Sequence, residues 1–218
     1  MIKKLLRQKD DALVVNIDHP SDSLAHVLVR LGVPCIFIDC EQGSVDFEKV
    51  ERIARIAKLS GASSVARLWS SENWLIERML LRGIDGVVIP RVENAEAVRN
   101  VIEAVRYVAQ ERFDEIAIII QIECKEAVEN IDAILACDEV DCFFIGPVDL
   151  SKSLGHGGKF TPEIRTQVDS LIDLITGKGK AVGVLVNETN IADYRKRGVT
   201  FCYCHVNDFL RVGISSFR

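Results

Sequence analysis

The chain has 218 residues, a net charge of −5, and ordinary shares of hydrophobic (48%) and charged (27%) residues. This composition is typical of a globular protein with one well-buried core. The acidic balance excludes nucleic acid and membrane surfaces as expected partners, and no apolar run reaches the ~18 residues that a membrane span requires. Seven cysteines without a Cys-x-x-Cys spacing predict reduced thiols and a cytoplasmic location.

Strand-like and helix-like segments alternate along the whole chain. Short apolar runs predict eight strands, at residues 12–17, 34–39, 64–68, 86–90, 116–120, 142–145, 180–186 and 200–205. Helical spacing and end signals predict the helices between them, at residues 23–31, 47–59, 73–81, 95–107, 126–136, 162–176 and 189–197. This order predicts one (β/α)₈ barrel over residues 1–218, without a second domain.

Two carboxylates follow consecutive predicted strands. Glu123 comes just after the strand at 116–120, and Asp149 follows the strand at 142–145 through a Gly146-Pro147-Val148 turn. The carboxyl ends of parallel strands meet at one face, where barrels bind their ligands. Neighbouring strands lie ~4.8 Å apart, so we expect the two acids to lie side by side. Two such carboxylates repel unless a cation lies between them, and a magnesium-like ion is the simplest candidate.

Each acid also has a purely structural explanation when it is considered alone. Glu123 precedes a predicted helix, whose dipole favours an acid in the first turn. Asp149 follows Gly-Pro, where an aspartate commonly forms a turn or a helix cap. The metal site is favoured because the two acids occupy matching ends of consecutive strands.

The motifs of this unit resemble a known family. Gln121-Ile-Glu123, followed by the helix from Glu126 and by the segment from Phe144 to Ser151, is similar to the HpcH/HpaI family of class II pyruvate aldolases. The resemblance covers the chain from Asn16 to about residue 213. It implies a metal-dependent (β/α)₈ barrel that cleaves or forms 4-hydroxy-2-oxo acids, related to the citrate lyase β subunit.

The resemblance also implies roles for individual residues. Arg67 matches an arginine that binds the keto-acid oxygen and stabilises the enolate, and Gln121 matches a glutamine that binds the keto acid. The substrate site is expected to include the turn formed by Gly146, Pro147 and Val148. Glu123 and Asp149 are the expected metal ligands.

Three features depart from the family pattern. The segment after the second strand reads Asp39-Cys40-Glu41-Gln42, where relatives carry Asp-x-Glu-His and use that histidine for proton transfer. Asp39 and Gln42 are therefore the expected catalytic positions on this strand, although glutamine cannot titrate. A family aspartate after the third strand is replaced by Leu81. The connection at residues 108–115 and the tail after residue 213 are short.

The predicted function is a metal-dependent carbon–carbon lyase that acts on a 2-oxo acid, with Mg²⁺, Mn²⁺ or Co²⁺ as cofactor. Its expected base is a metal-bound hydroxide or the substrate's own alkoxide. The alternative is a catalytically degenerate barrel that binds metal and a 2-oxo acid as a binding or assembly protein. A citrate-lyase-like enzyme acting on a CoA ester is a further alternative, although no basic groove for CoA phosphates is evident. We expect a homo-oligomer, with a weaker or different assembly than in relatives because the tail is short.

Overall fold

A computed structural model describes residues 1–218 as a closed barrel of eight parallel strands, each hydrogen-bonded to its neighbours in sequence order. This architecture confirms the predicted (β/α)₈ barrel. The strands are β1 Ala12–Asn16, β2 Cys35–Asp39, β3 Ser63–Arg67, β4 Gly86–Ile89, β5 Ala117–Ile122, β6 Cys142–Ile145, β7 Val182–Leu185 and β8 Val199–His205.

Helices surround the barrel and cover the outer faces of the strands. They are α1 Ile2–Gln8, α2 Asp22–Arg30, α3 Phe47–Leu59, α4 Asn73–Leu80, α5 Ala95–Ala109, α6 Lys125–Glu129, α7 Ile131–Leu135, α8 Pro147–Ser153, α9 Pro162–Gly177, α10 Ile191–Lys196 and α11 Val206–Ser216, with a 3₁₀ helix at Gln110–Glu115. No helix combines the length and apolar character needed to cross a bilayer.

The strands are buried on both faces, as expected for a parallel sheet covered by helices. Their outward side chains form one large core with the helices, and their inward side chains fill the barrel with a second, smaller cluster. Phe37, Phe144 and Phe201 are the bulky members of this inner cluster. Helix α1 closes the amino-terminal end of the barrel, where Ile2 and Leu6 join the inner cluster. The carboxyl-terminal end, which α1 does not cover, is the face on which barrels of this kind bind their ligands.

The helix predicted at 126–136 is divided into α6 and α7 in the structure. Asn130 lies at the junction, and its side-chain amide donates hydrogen bonds to the carbonyl oxygens of Glu93 and Glu126, both at 3.0 Å. Asparagine side chains compete with helical backbone hydrogen bonds in this way. The segment after Gly146 was predicted as a turn, but it forms helix α8, which Pro147 begins.

Candidate active site

A cavity of about 150 Å³ opens at the carboxyl-terminal end of the barrel. A cavity of this size can hold a small ligand. Its lining includes most of the predicted site residues, together with two aromatic residues of β8: Gln42, Arg67, Gln121, Gly146, Pro147, Val148, Asp149, Lys152, Tyr203 and His205. Most of the predicted site residues therefore lie together at the carboxyl-terminal face of the barrel, where barrels bind their ligands.

Arg67 ends β3 and is fixed by a buried carboxylate. Its Nε and Nη2 atoms donate to the two oxygens of Asp39 at 3.0 and 2.6 Å, and both side chains are buried. Burial alone would lower the pKa of Arg67, but the neighbouring Asp39 carboxylate raises the pKa above its ordinary value. The guanidinium therefore stays charged, with its planar fork held in one orientation.

Asp39 was predicted as a catalytic residue, and the structure places it behind Arg67. Its Oδ1 atom also accepts hydrogen bonds from the backbone N–H groups of Glu41 and Gln42, at 3.1 and 3.2 Å. These contacts shape the turn after β2, where Gln42 is exposed and lines the cavity. The carboxylate of Asp39 thus positions Arg67 and the turn that carries Gln42.

Glu41 and Arg91 belong to the same network, although sequence reasoning gave them no role. The Oε2 atom of Glu41 lies 3.2 Å from Nη1 of Arg67, and its Oε1 atom lies 2.9 Å from Nη2 of Arg91. Arg91 has a left-handed backbone conformation with φ of 55°. This conformation aims its backbone N–H at Oε1 of Glu123, at 2.7 Å. Arg91 comes directly after the predicted strand that ends in Ile89-Pro90. This position at a strand end is the sequence signal that could have identified it as a site residue.

Glu123 is buried immediately beyond β5, so it is not a solvent-exposed acid of a helix first turn. Its Oε1 atom accepts the Arg91 N–H, whereas its Oε2 atom has no hydrogen-bond partner. Burial raises the pKa of Glu123 to about 7, and the negative charges of Glu41 and Asp149 add to the shift. A buried carboxylate oxygen without a partner is costly, unless a ligand completes its coordination.

Gly146 allows these groups to approach one another. A Cβ atom at this position would lie 2.7 Å from Nε2 of Gln121 and 3.0 Å from Oε2 of Glu123. Any side chain larger than hydrogen would therefore push both groups out of place. Gln121 is itself buried with its Oε1 atom unpaired, so a second polar atom of the site has no protein partner.

Asp149 lies in the first turn of α8 rather than at the strand end predicted from the sequence. Pro147 starts this helix directly after Gly146, so the carboxylate reaches the cavity from the helix. Its Oδ1 atom forms an ion pair with Nζ of Lys152 at 2.8 Å, and its side chain is 32% exposed. Its negative charge is one of the smaller causes that raise the pKa of Glu123.

The donor set fits a hard divalent cation. The unpaired Oε2 atom of Glu123 and the carboxylate of Asp149 supply oxygen ligands, which Mg²⁺-like ions prefer. No group of three or more His, Cys, Asp or Glu side chains is arranged to hold a metal ion. Water and substrate would therefore have to complete the coordination shell, as is common for Mg²⁺ bound by two carboxylates.

A second polar cluster lies where β8 meets β1, and its Tyr203 and His205 line the same cavity. Nδ1 of His205 lies 2.6 Å from Oδ1 of Asp18, and Nε2 of His205 lies 3.5 Å from the hydroxyl of Tyr203. Asn16 donates to that hydroxyl at 2.8 Å. The sequence placed Asp18 and His205 at strand ends but gave no sign of their contact, because it depends on closure of the barrel between β8 and β1.

Leu81 does not line the cavity. It follows α4 at the opposite end of the barrel, is 59% exposed, and lies in a surface groove beside Arg82 and Glu51. Within one chain, this position is not a neighbour of Gln42, so its substitution cannot remove a direct partner from that side chain.

Comparisons with known proteins agree with the fold. The family model described as HpcH/HpaI aldolase/citrate lyase matches residues 1–207. A hydroxypyruvate/pyruvate aldolase of Roseobacter denitrificans is 31% identical over 188 residues, which cover 75% of this chain and 73% of the relative. A 2-keto-3-deoxy-L-rhamnonate aldolase of Salmonella gallinarum is 27% identical, over 98% of this chain and 86% of the relative.

Solved structures with lower identity share the fold. The HpcH/HpaI aldolase of Desulfitobacterium hafniense superposes with a TM-score of 0.88 and 24% identity, over 100% of this chain and 95% of that one. The citrate synthase SbnG superposes with a TM-score of 0.89 and 22% identity, over 99% and 95% of the two chains. The match over residues 1–207, together with the relative that is 31% identical, shows that this chain belongs to the HpcH/HpaI aldolase/citrate lyase family.

Proposed function

We propose that the protein is a metal-dependent carbon–carbon lyase that cleaves or forms a 4-hydroxy-2-oxo acid by way of a pyruvate-type enolate. One observation carries this proposal. The fixed guanidinium of Arg67 and the buried amide of Gln121 line one small cavity, and the unpaired Oε2 atom of Glu123 lies beside Gln121 at Gly146. The names of the relatives, which are aldolases of hydroxypyruvate, pyruvate and 2-keto-3-deoxy acids, support the same reaction class.

Arg67 is the group that binds developing negative charge in this proposal. When the bond between C3 and C4 of the substrate breaks, the electron pair moves to the C2 oxygen and leaves an enolate. A guanidinium that is already oriented stabilises this charge without reorganising during the reaction. Asp39 holds the fork in place at 2.6 and 3.0 Å, so Arg67 enters the reaction already positioned.

Gln121, Gly146 and the first two residues of α8, Pro147 and Val148, orient the 2-oxo acid in the cavity. Glu123 and Asp149 would hold a divalent ion, which supplies Lewis-acid polarisation of the substrate's carboxylate and keto oxygens.

The test is a pyruvate-release assay on a panel of short 4-hydroxy-2-oxo acids with Mn²⁺ or Co²⁺. Removing one donor that stabilises a developing oxyanion typically costs ~10²–10³ in kcat, so Arg67→Lys should lose about that factor. Arg165→Lys is a matched control, because Arg165 lies on the outer helix α9 away from the cavity. A wild-type protein that releases no pyruvate from any member of the panel would contradict the proposed activity.

The second candidate is a binding protein without turnover. Gln42 favours it, because the residue lines the cavity at the position where the family resemblance implies a catalytic histidine, and its amide cannot transfer a proton. Calorimetric titration with Mn²⁺ and oxalate separates the two functions. Tight ternary binding without pyruvate release supports the binding protein, whereas binding accompanied by turnover supports the lyase.

A further inference from the structure

We infer that His205 is the acid–base catalytic residue of this site, and that Asp18 is its positioning residue. The inference rests on the proposed lyase function and names the residue that moves its proton. His205 ends β8, and its imidazole lines the same cavity as Arg67 and Gln121. It thus lies in the lining of the proposed substrate site, together with Asp149.

The hydrogen bonds around Asp18 fix the tautomer of the imidazole. A carboxylate only accepts hydrogen bonds, so the 2.6 Å contact requires a proton on Nδ1 of His205. In the neutral ring Nε2 then carries the lone pair. Asp18 is held in turn, because its Oδ2 atom accepts the backbone N–H of Asn207 at 3.2 Å and its own N–H donates to Asn16 at 3.2 Å.

The Tyr203 hydroxyl completes this arrangement on the Nε2 side of the ring. Its oxygen accepts from Asn16, which leaves its own proton free to point towards Nε2 of His205 or towards a ligand. Burial raises the pKa of Tyr203, so the phenol stays a neutral donor. Nε2 therefore faces a polar, ligand-accessible wall instead of the apolar core.

The other three histidines are placed differently. His19 is exposed and contacts Asn207 at 3.0 Å, and His26 contacts Ser60 at 3.2 Å on the outer helices. His156 lies in the glycine-rich loop after α8. None of these three lines the cavity, so His205 is the one imidazole that could reach a ligand there. It takes over the proton transfer that Gln42 cannot perform.

In the proposed step, His205 moves one proton from the C4 hydroxyl to C3 of the substrate. Neutral Nε2 of His205 takes the proton of the C4 hydroxyl, the C4–O bond becomes a carbonyl, and the C3–C4 bond breaks. Its electron pair forms the C2–C3 double bond and places negative charge on the C2 oxygen, near Arg67. The imidazolium, stabilised by Asp18, then returns the proton to C3, which gives the 2-oxo acid and an aldehyde.

The experiment compares two reactions in the metal-loaded enzyme. Cleavage of a 4-hydroxy-2-oxo acid requires removal of the hydroxyl proton, whereas decarboxylation of oxaloacetate reaches the same enolate without a hydroxyl group. His205→Ala should lower kcat for cleavage by ~10²–10⁴ and leave decarboxylation within about threefold of the wild type. Added imidazole should restore part of the cleavage rate. His19→Ala, which removes an exposed histidine outside the cavity, is the matched control.

The position of Asp18 is tested with two variants. Asp18→Asn keeps the size of the side chain but loses the negative charge, so kcat for cleavage should fall at least tenfold while KM is unchanged. Asp18→Glu keeps the carboxylate and should recover most of that loss. Equal rates in the two variants would overturn the positioning role.

Three further outcomes separate this inference from the proposed function. Wild-type cleavage with an unaffected His205→Ala variant overturns the role of His205 and leaves the lyase function intact. Equal loss of cleavage and decarboxylation in His205→Ala also overturns it, because the variant would then have damaged the enolate site itself. A wild type inactive in both reactions overturns the proposed function and the inference together.

Discussion

Each end of this barrel contains a buried carboxylate, and the two carboxylates differ in whether their oxygens have partners. At the amino-terminal end, Asp141 accepts the backbone N–H of Ile118 at 2.8 Å, pairs with Arg7, and lies 3.5 Å from Nζ of Lys3. Both of its oxygens are satisfied. At the carboxyl-terminal end, one oxygen of Glu123 has no partner. Burial raises the pKa of both carboxyl groups, so the contrast lies in their partners.

The contrast shows how one fold separates stability from function. The amino-terminal end is closed by α1, and Lys3 also donates to the carbonyl oxygens of Phe113 and Ile116 at 3.0 and 2.9 Å. These contacts tie three elements together and leave no group free for a ligand. The carboxyl-terminal end retains unpaired atoms on Glu123 and Gln121, whose cost a ligand would offset.

The largest change in the free energy of unfolding is expected from Asp141→Asn. Removing one member of a buried ion pair leaves its partners uncompensated, which typically costs ~3–5 kcal/mol. Because Arg7 is half-exposed, we expect a loss of about 3 kcal/mol in the free energy of unfolding, with unchanged Mn²⁺ affinity. Denaturant titration and calorimetry measure the two quantities. Asp138→Asn changes an exposed acid nearby and should have no measurable effect on either quantity. If Asp141→Asn also lost Mn²⁺ affinity, the two ends of the barrel would not be independent.

A smaller change in the free energy of unfolding is expected from Glu123→Gln in the metal-free protein. This substitution should stabilise the protein near pH 7, whereas Asp141→Asn should destabilise it. The pKa of Glu123 rises from 4.5 to about 7 on folding, so between these pH values the folded state binds more protons than the unfolded state. The contribution of Glu123 to stability is therefore favourable at low pH and is lost as pH rises from 4.5 to 7. Relative to Glu123→Gln, the wild type should lose ~1–3 kcal/mol across this range.

Denaturant titrations of both proteins with a chelator present measure this difference. Glu126→Gln, the same change on the exposed face of α6, provides the control and should follow the wild type at every pH. Adding Mn²⁺ at pH 7 should restabilise the wild type and leave Glu123→Gln unchanged. A flat difference between pH 4.5 and 7 would show that Glu123 has a partner in solution, and that the two ends of the barrel are alike.

The smallest effect is expected from Gln42→His, which adds an imidazole to the wall of the cavity. Because His205 is inferred to supply the acid–base group, the kcat for cleavage should rise less than tenfold. Asp39, the nearest acid, is already bound to Arg67 and two backbone N–H groups, so the new ring lacks an orienting partner. A gain of a hundredfold or more would indicate that the wild-type site works without a histidine base.

The sequence by itself determined the barrel and brought the candidate site residues to one end of it. Alternating apolar runs and helical periodicity follow from local physics, and the strand-end residues Arg67, Gln121 and Glu123 follow once the strands are known. The residues that line the cavity were therefore largely predictable from position along the chain.

Only the tertiary structure decided which of these polar residues pair with one another. Asp39 was predicted to have a catalytic role together with Gln42. The pairing of β2 with β3 instead places Asp39 next to Arg67, and its carboxylate binds that guanidinium. The contact of His205 with Asp18 spans 187 residues and exists because closure of the barrel sets β8 against β1. Side-chain pairing of this kind depends on register and closure in three dimensions, which local patterns in the chain do not encode.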